Sequence, residues 1–205
     1  MEEGMTLLLA ALIGFGHAFE ADHLLAVSTL TAKSQSTRQV ATNGFLWGLG
    51  HTSTIVVIGL LLIGFNMQGL KSYFDYFELF VGVMLILLGA VRIFQEKKQS
   101  ASAASGHSHP HTHDGEAYGI GLVHGLAGSG ALILLVLADL SDPFLAMIYL
   151  LLFGLGSAIG MSFAASVLRL PMLLGRHRDL SRRLFTWASA LLCIGYGVHI
   201  LVRFV

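Results

Sequence analysis

The sequence predicts an all-α integral membrane protein: six transmembrane helices, arranged as two inverted three-helix repeats, with the first helix kinked or broken. Three observations predict it. Charged residues make up 12% of the 205-residue chain, about half the usual share of a soluble domain, and mean hydropathy is +0.74. Six apolar stretches follow one another, at 5–32, 44–65, 73–94, 117–138, 143–168 and 184–204, each near the roughly 20 residues that span a hydrocarbon core. Short motifs recur between the first and second halves of the chain.

The stretches differ in how clearly they read. Residues 44–65 and 117–138 contain no Lys, Arg, Asp or Glu. The third is the weakest, because Glu78 and Arg92 bracket a short uncharged core, but its aromatic flank "YFDYFELF" suits a membrane interface. The first follows "MEEG", acidic where a cleavable signal carries basic residues, and reads as a retained helix. Balanced charge argues against a nucleic-acid partner. The single cysteine, Cys193, allows neither an intramolecular disulfide nor a cysteine-based metal site.

Lys and Arg set the expected orientation. Ten of the twelve fall in or beside the connections between stretches one and two, three and four, and five and six. The exceptions are Lys71 and Arg203. Positive charge stays inside, so the three basic connections face the cytoplasm and both termini face out, in a cytoplasmic (inner) membrane. The repeat rests on "GFGHAFEAD" (14–22) against "GLVHGLAGS" (121–129), and on "GLGHT" (48–52) against "GLGSA" (154–158). Three spans per half is an odd number, so the halves run in opposite directions, an arrangement common in transporters. The whole reads as one transmembrane domain, with halves 1–95 and 117–205. The polar segment 96–116 between them is a cytoplasmic loop. Its His107, His109, His111 and His113 alternate along "GHSHPHTH", a pattern that captures transition metals weakly or serves only as a solubilising linker.

The chemistry lies in "GHAFEADHLL" (16–25). An ionisable side chain at membrane depth costs at least ~2.5–3.5 kcal/mol, yet His17, Glu20, Asp22 and His23 occur within seven residues. They must face protein, water or an ion. On a straight helix His17, Glu20 and His23 follow one another at about 60°, while Asp22 lies about 140° from His17. Gly14 and Gly16 weaken the helix here, so the span is expected to kink or unwind, which is tolerated where backbone lines a site. His51, in the uncharged second stretch, is a fourth ligand candidate, with hydroxyls at Thr52, Ser53 and Thr54 as outer partners. His124 repeats His17 and, with Glu20, is a further candidate for the metal or its pathway. Imidazole with carboxylate suits divalent Zn, Cu, Fe or Ni, and the absence of a thiolate weakens Cu(I). Metal binding needs neutral imidazoles, so affinity should fall in acid.

"HAFEADH" (17–23) resembles the His-x4-Asp-His signature of the nickel/cobalt transporter family. "LGHTSTIVV" (49–57) resembles that family's next-span motif. The short length and six spans look like the family's urease-accessory, UreH-like branch of nickel permeases. The resemblance implies a secondary transporter that takes up Ni2+ or Co2+ for metalloenzyme maturation, the ion being substrate and not cofactor. His17, Asp22 and His23 match the signature and inherit its metal-ligand role, as His51 does from the second motif. Glu20 stands where the family often has Asp, and Gly16 where it often has Arg. The family's usual extra spans are missing. An intramembrane metalloenzyme on the same residues is the chief alternative, but the chain lacks H-E-x-x-H spacing. A haem protein with paired axial histidines would leave Asp22 without use. No phosphate-binding loop is present for ATP hydrolysis, and a transition-metal exporter is a further alternative, the cytoplasmic His loop fitting either direction.

Overall fold

The computed structural model describes residues 2–33, 36–65, 74–102, 114–128, 142–174 and 178–204. Every element among them is a helix: α1 Glu2–His17, α2 Ala21–Lys33, α3 Thr37–Phe65, α4 Phe74–Ser102, α5 Asp114–Gly128, α6 Pro143–Leu168, α7 Leu170–Leu174 and α8 Arg178–Val202. Four segments are long and apolar enough to cross a membrane: Thr37–Leu62, Tyr76–Lys98, Pro143–Leu173 and Leu180–Val202. The pair α1 and α2 makes a fifth if its bent halves count as one span. The expected stretch 117–138 is described only as far as the end of α5. His107, His109, His111 and His113 lie outside the described residues.

The first span breaks where glycine and buried charge lead one to expect it. α1 stops at His17, α2 starts at Ala21, and the two are bent by 60°. Two tight turns make the join: Phe19 N–H donates to Gly16 O at 3.0 Å and Glu20 N–H to His17 O at 3.1 Å. Leu24 N–H then donates to Glu20 O and α2 is under way. Further along, Asp142 caps α6 by accepting from Phe144 N–H at 2.9 Å, and Pro143 sits where its missing donor costs nothing.

The central loop is shorter than the sequence implies. α4 runs through Ser102, so residues 96–102, read as loop, are helical. Glu96, Lys97, Lys98 and Gln99 are good helix formers, and the Lys97 ammonium lies 6.0 Å over the Trp187 ring of α8. At the other end α5 begins at Asp114, inside the stretch read as loop.

Packing follows from small residues. α1 lies against α6, and α5 against α3. α3 and α6 pack on each other, α4 packs on α8, and α2 and α5 touch α8 and α4 respectively. A methyl on Gly14 would strike the Phe153 carbonyl oxygen, and one on Gly156 that of Ala11. On the α5–α3 seam, Gly121 lies against the Trp47 carbonyl and Gly50 against that of Tyr118. Gly82 of α4 and Gly197 of α8 approach each other's carbonyl oxygens. Such backbone approach is how helices associate where lipid is as apolar as leucine. Outward, large apolar side chains such as Leu12, Leu60, Phe80, Leu87, Phe163 and Leu191 are exposed, as a lipid-facing surface requires.

Candidate metal centre

Four helices deliver four buried histidines to one place. His17 closes α1 and His23 lies in the first turns of α2. His51 stands midway along α3, and His124 lies on α5. The break between α1 and α2 lets His17 and His23 face each other; their ring centroids are 4.4 Å apart. His51 lies 5.4 Å from His17 and 5.0 Å from His23. His124 is 4.3 Å from His23 and 6.2 Å from His51. His23, His51 and His124 are fully buried and His17 nearly so.

The carboxylates sort the nitrogens. Glu20 Oε1 lies 2.8 Å from His17 Nδ1. Asp22 Oδ1 lies 3.0 Å from His23 Nδ1, and its Oδ2 lies 2.9 Å from His124 Nε2. Each carboxylate favours the tautomer with the ring hydrogen on the nitrogen that faces it. His17 Nε2 and His23 Nε2 are left buried without a hydrogen-bond partner, as are both ring nitrogens of His51. A buried polar atom without a partner is costly, and four such nitrogens on three neighbouring rings are what a cation with affinity for imidazole would satisfy, one from each ring. A ligating histidine typically gives its other nitrogen to a carboxylate, and Glu20 and Asp22 hold those places for His17 and His23.

Two groups of possible ligand atoms result, each with its atoms within 4.8 Å of one another: His17, His23 and His51; and Asp22, His23 and His124. Asp22 therefore falls beside His124 in the second group, while the three histidines of the first come from α1, α2 and α3. Glu20 touches the first group from outside, with its side chain 56% exposed against 4% for His17.

The hydroxyls after His51 do other work than the sequence implied. Thr52 Oγ1 donates to Gly48 O and lies 2.9 Å from Gly154 O on α6. Thr54 Oγ1 donates to Leu122 O on α5 at 2.8 Å. Ser53 Oγ donates to Leu49 O and accepts from the Tyr118 hydroxyl. In an apolar helix a hydroxyl is satisfied by the carbonyl one turn back, and here they also pin α3 to its neighbours. Two aromatic walls went unread in the sequence. Trp47 packs on His23 at 5.4 Å and on His124 at 5.3 Å, and Phe153 packs on His17 at 5.3 Å. Trp47 stands one helical turn before His51, the signal that would have placed it on the same face. His199 is exposed near the end of α8, remote in sequence and burial from this cluster.

The chain is similar to urease accessory protein UreH of Bacillus sp. (strain TB-90), with 30% identity over 202 residues that cover 94% of this chain and 89% of that protein. The chain belongs to the UreH-like branch of the nickel/cobalt transporter family. A partial likeness to the high-affinity nickel transport protein of Cupriavidus necator runs at 37% identity over 90 residues, 43% of this chain and 25% of that one. The nickel transporter NixA of Staphylococcus aureus is 27% identical over 95 residues, 42% of this chain and 28% of that one. The chain thus spans about a quarter of those two proteins and most of the UreH protein. No family model matches the chain, and no solved structure matches it significantly. With its apolar helices and its transporter relatives, this nickel/cobalt transporter family member is a multi-pass membrane protein.

Proposed function

We propose that the protein is a secondary permease that moves Ni2+ across the cytoplasmic membrane, and that His17, His23 and His51 hold the ion on its way. The observation that carries this reading is the set of buried ring nitrogens without partners, gathered from both sides of a helix break. The donor set suits late divalent metals and leaves Mg2+ and Ca2+ aside; Co2+ would be accepted by the same nitrogens. Asp22 and Glu20 supply negative charge next to the ligands, so the ion does not stand in a low-dielectric interior without compensation. Uptake is the direction an inside-negative potential favours, by ~4.6 kcal/mol per 100 mV for a divalent cation.

The six spans form two inverted repeats, with both termini outside. The packing supports the repeat, and the Lys and Arg distribution supports the orientation. Exchanging α1, α3 and α4 for α5, α6 and α8 turns the α1–α6 seam into the α5–α3 seam, and leaves the α3–α6 and α4–α8 pairs unchanged. Gly14 against Phe153 has its counterpart in Gly121 against Trp47, and Gly156 against Ala11 in Gly50 against Tyr118. The centre lies where the halves meet, as in other inverted-repeat carriers. His107, His109, His111 and His113 gather metal in the cytoplasm as an accessory.

The test is uptake of radiolabelled Ni2+ into proteoliposomes containing the purified chain, with Co2+ and Zn2+ as competitors. Loss of uptake in His17→Ala, His23→Ala and His51→Ala, each correctly inserted, is the expected result. Undiminished uptake in all three would refute the site. A cysteine introduced at residue 2 that reacts only from the cytoplasmic side would refute the topology.

A further inference from the structure

His23 belongs to both groups of the centre. Its ring is 4.4 Å from that of His17 and 4.3 Å from that of His124. Nε2 is free, and Nδ1 meets Asp22. On the second side, the two oxygens of Asp22 reach one nitrogen of His23 and one of His124 at 3.0 and 2.9 Å. A hydrogen bond between an imidazole and a carboxylate sits where a metal ion can bridge the same two atoms. Each ring nitrogen facing Asp22 carries hydrogen in one neutral tautomer and a lone pair in the other. His124 Nδ1 is buried without a hydrogen-bond partner, so a ring hydrogen carried there leaves the lone pair on Nε2, the nitrogen beside Asp22.

From this geometry we infer that Asp22, His23 and His124 form a second Ni2+ position, filled in alternation with the position made by His17, His23 and His51, and that the ion crosses by passing from one side of His23 to the other. The inference rests on the permease reading above. Two imidazoles with one carboxylate are a donor set for late divalent metals. Its ligand atoms lie within 4.8 Å of one another. Shared use of His23, together with repulsion between two divalent ions so near each other, makes occupancy exclusive. The two positions also differ in where their ligands come from. The first is built from α1, α2 and α3, all in one half of the chain. The second adds α5, from the other half. Hand-over at His23 therefore moves the ion from ligands of one half to ligands drawn from both, and so to the repeat interface where carriers of this architecture hold their substrate.

The test uses the full-length protein in detergent and Ni2+ itself, with X-ray absorption to count imidazole ligands. The His17→Ala/His51→Ala double variant strips the first position and leaves the second whole. It should still bind one Ni2+ per chain, about tenfold to a hundredfold more weakly than wild type, with two imidazoles and a carboxylate oxygen around the ion. Adding His124→Gln should remove that binding. The glutamine amide can still donate to Asp22 but is no imidazole, so a role for His124 as mere hydrogen-bond partner would survive the change. In the otherwise wild-type protein, His124→Gln should leave binding of one Ni2+ at the first position and slow uptake by about tenfold or more. The second position is overturned if the double variant binds no Ni2+ while wild type does, if His124→Gln leaves the double variant's binding unchanged, or if uptake by the single variant equals wild type. Absence of Ni2+ from wild type itself would overturn the permease reading, and the hand-over with it.

Discussion

Two stretches of the chain begin alike and end differently. "GFGHAFEADH" (14–23) and "GLVHGLAGSG" (121–130) share Gly-x-x-His. Both histidines are buried, and both glycines lie on a carbonyl of a neighbouring helix, Gly14 on Phe153 and Gly121 on Trp47. After the histidine they part. α1 ends at His17 and the chain bends into α2, whereas α5 continues past His124 to Gly128. Where the first stretch has Glu20, Asp22 and His23, the second has Ala127, Ser129 and Gly130. The same contrast holds between α3 and α6, where His51 and Ser157 follow matching Gly-Leu-Gly runs and are both fully buried. The two halves have packing in common and divide the chemistry unequally. At the centre, one carries three buried histidines and two carboxylates, and the other contributes a single imidazole and a glycine seam.

The comparison can be broken most directly at Asp22. Asp22→Asn keeps the shape, removes the charge and mismatches one of the two histidines it engages. Uptake should fall by about a hundredfold or more, read as initial rates in proteoliposomes; a fall smaller than that of His124→Gln would mean the unequal division is drawn in the wrong place. The shared packing is tested by a matched pair, Gly50→Val and Gly156→Val. Each forces a side chain onto a neighbouring carbonyl, and overpacking of this kind costs about 1–3 kcal/mol. Equal drops in melting temperature in detergent are expected, and a large drop in only one would deny the equivalence. Glu20→Gln should cost about tenfold in Ni2+ affinity, measured by equilibrium titration, because it loosens His17 without touching the other ligands. The smallest effect is expected from deleting 106–114. Uptake should drop at scarce Ni2+ and reach the wild-type maximum when Ni2+ is plentiful.

Much of this was legible in the residues, for reasons that also explain what was not. The break in the first span follows from local facts, two glycines and four polar groups in an apolar run. His51 could be picked out because nothing else in its span is ionisable. His124 was found through the motif it shares with His17. The bond from Asp22 to His124 joins residues 102 apart in sequence, and only the packing of α2 and α5 around one centre creates it. A helical wheel set Asp22 aside from His17, and the fold gives the reason: Asp22 meets Nδ1 of His23 and Nε2 of His124. Thr52 and Thr54 were misjudged because proximity in sequence to His51 says nothing of which neighbouring carbonyl a hydroxyl will find. The length of α4 was underestimated because charge was read as loop, although Glu and Lys favour helix as much as they favour water.

The bend between α1 and α2 has a mechanical consequence. His17 and His23 sit on opposite arms of it, and His51 on a separate post, so an ion gripped by all three would add a brace to a joint held by two backbone turns, the His17–Glu20 contact and the packing of Phe19 on Phe15 and Phe163. Holding and letting go then oppose each other. A stiffer joint would grip scarce metal longer and release fewer ions per second, and a looser one would do the reverse. The residues that set this compromise are Gly16, Ala18 and Phe19, which bind nothing and shape the elbow.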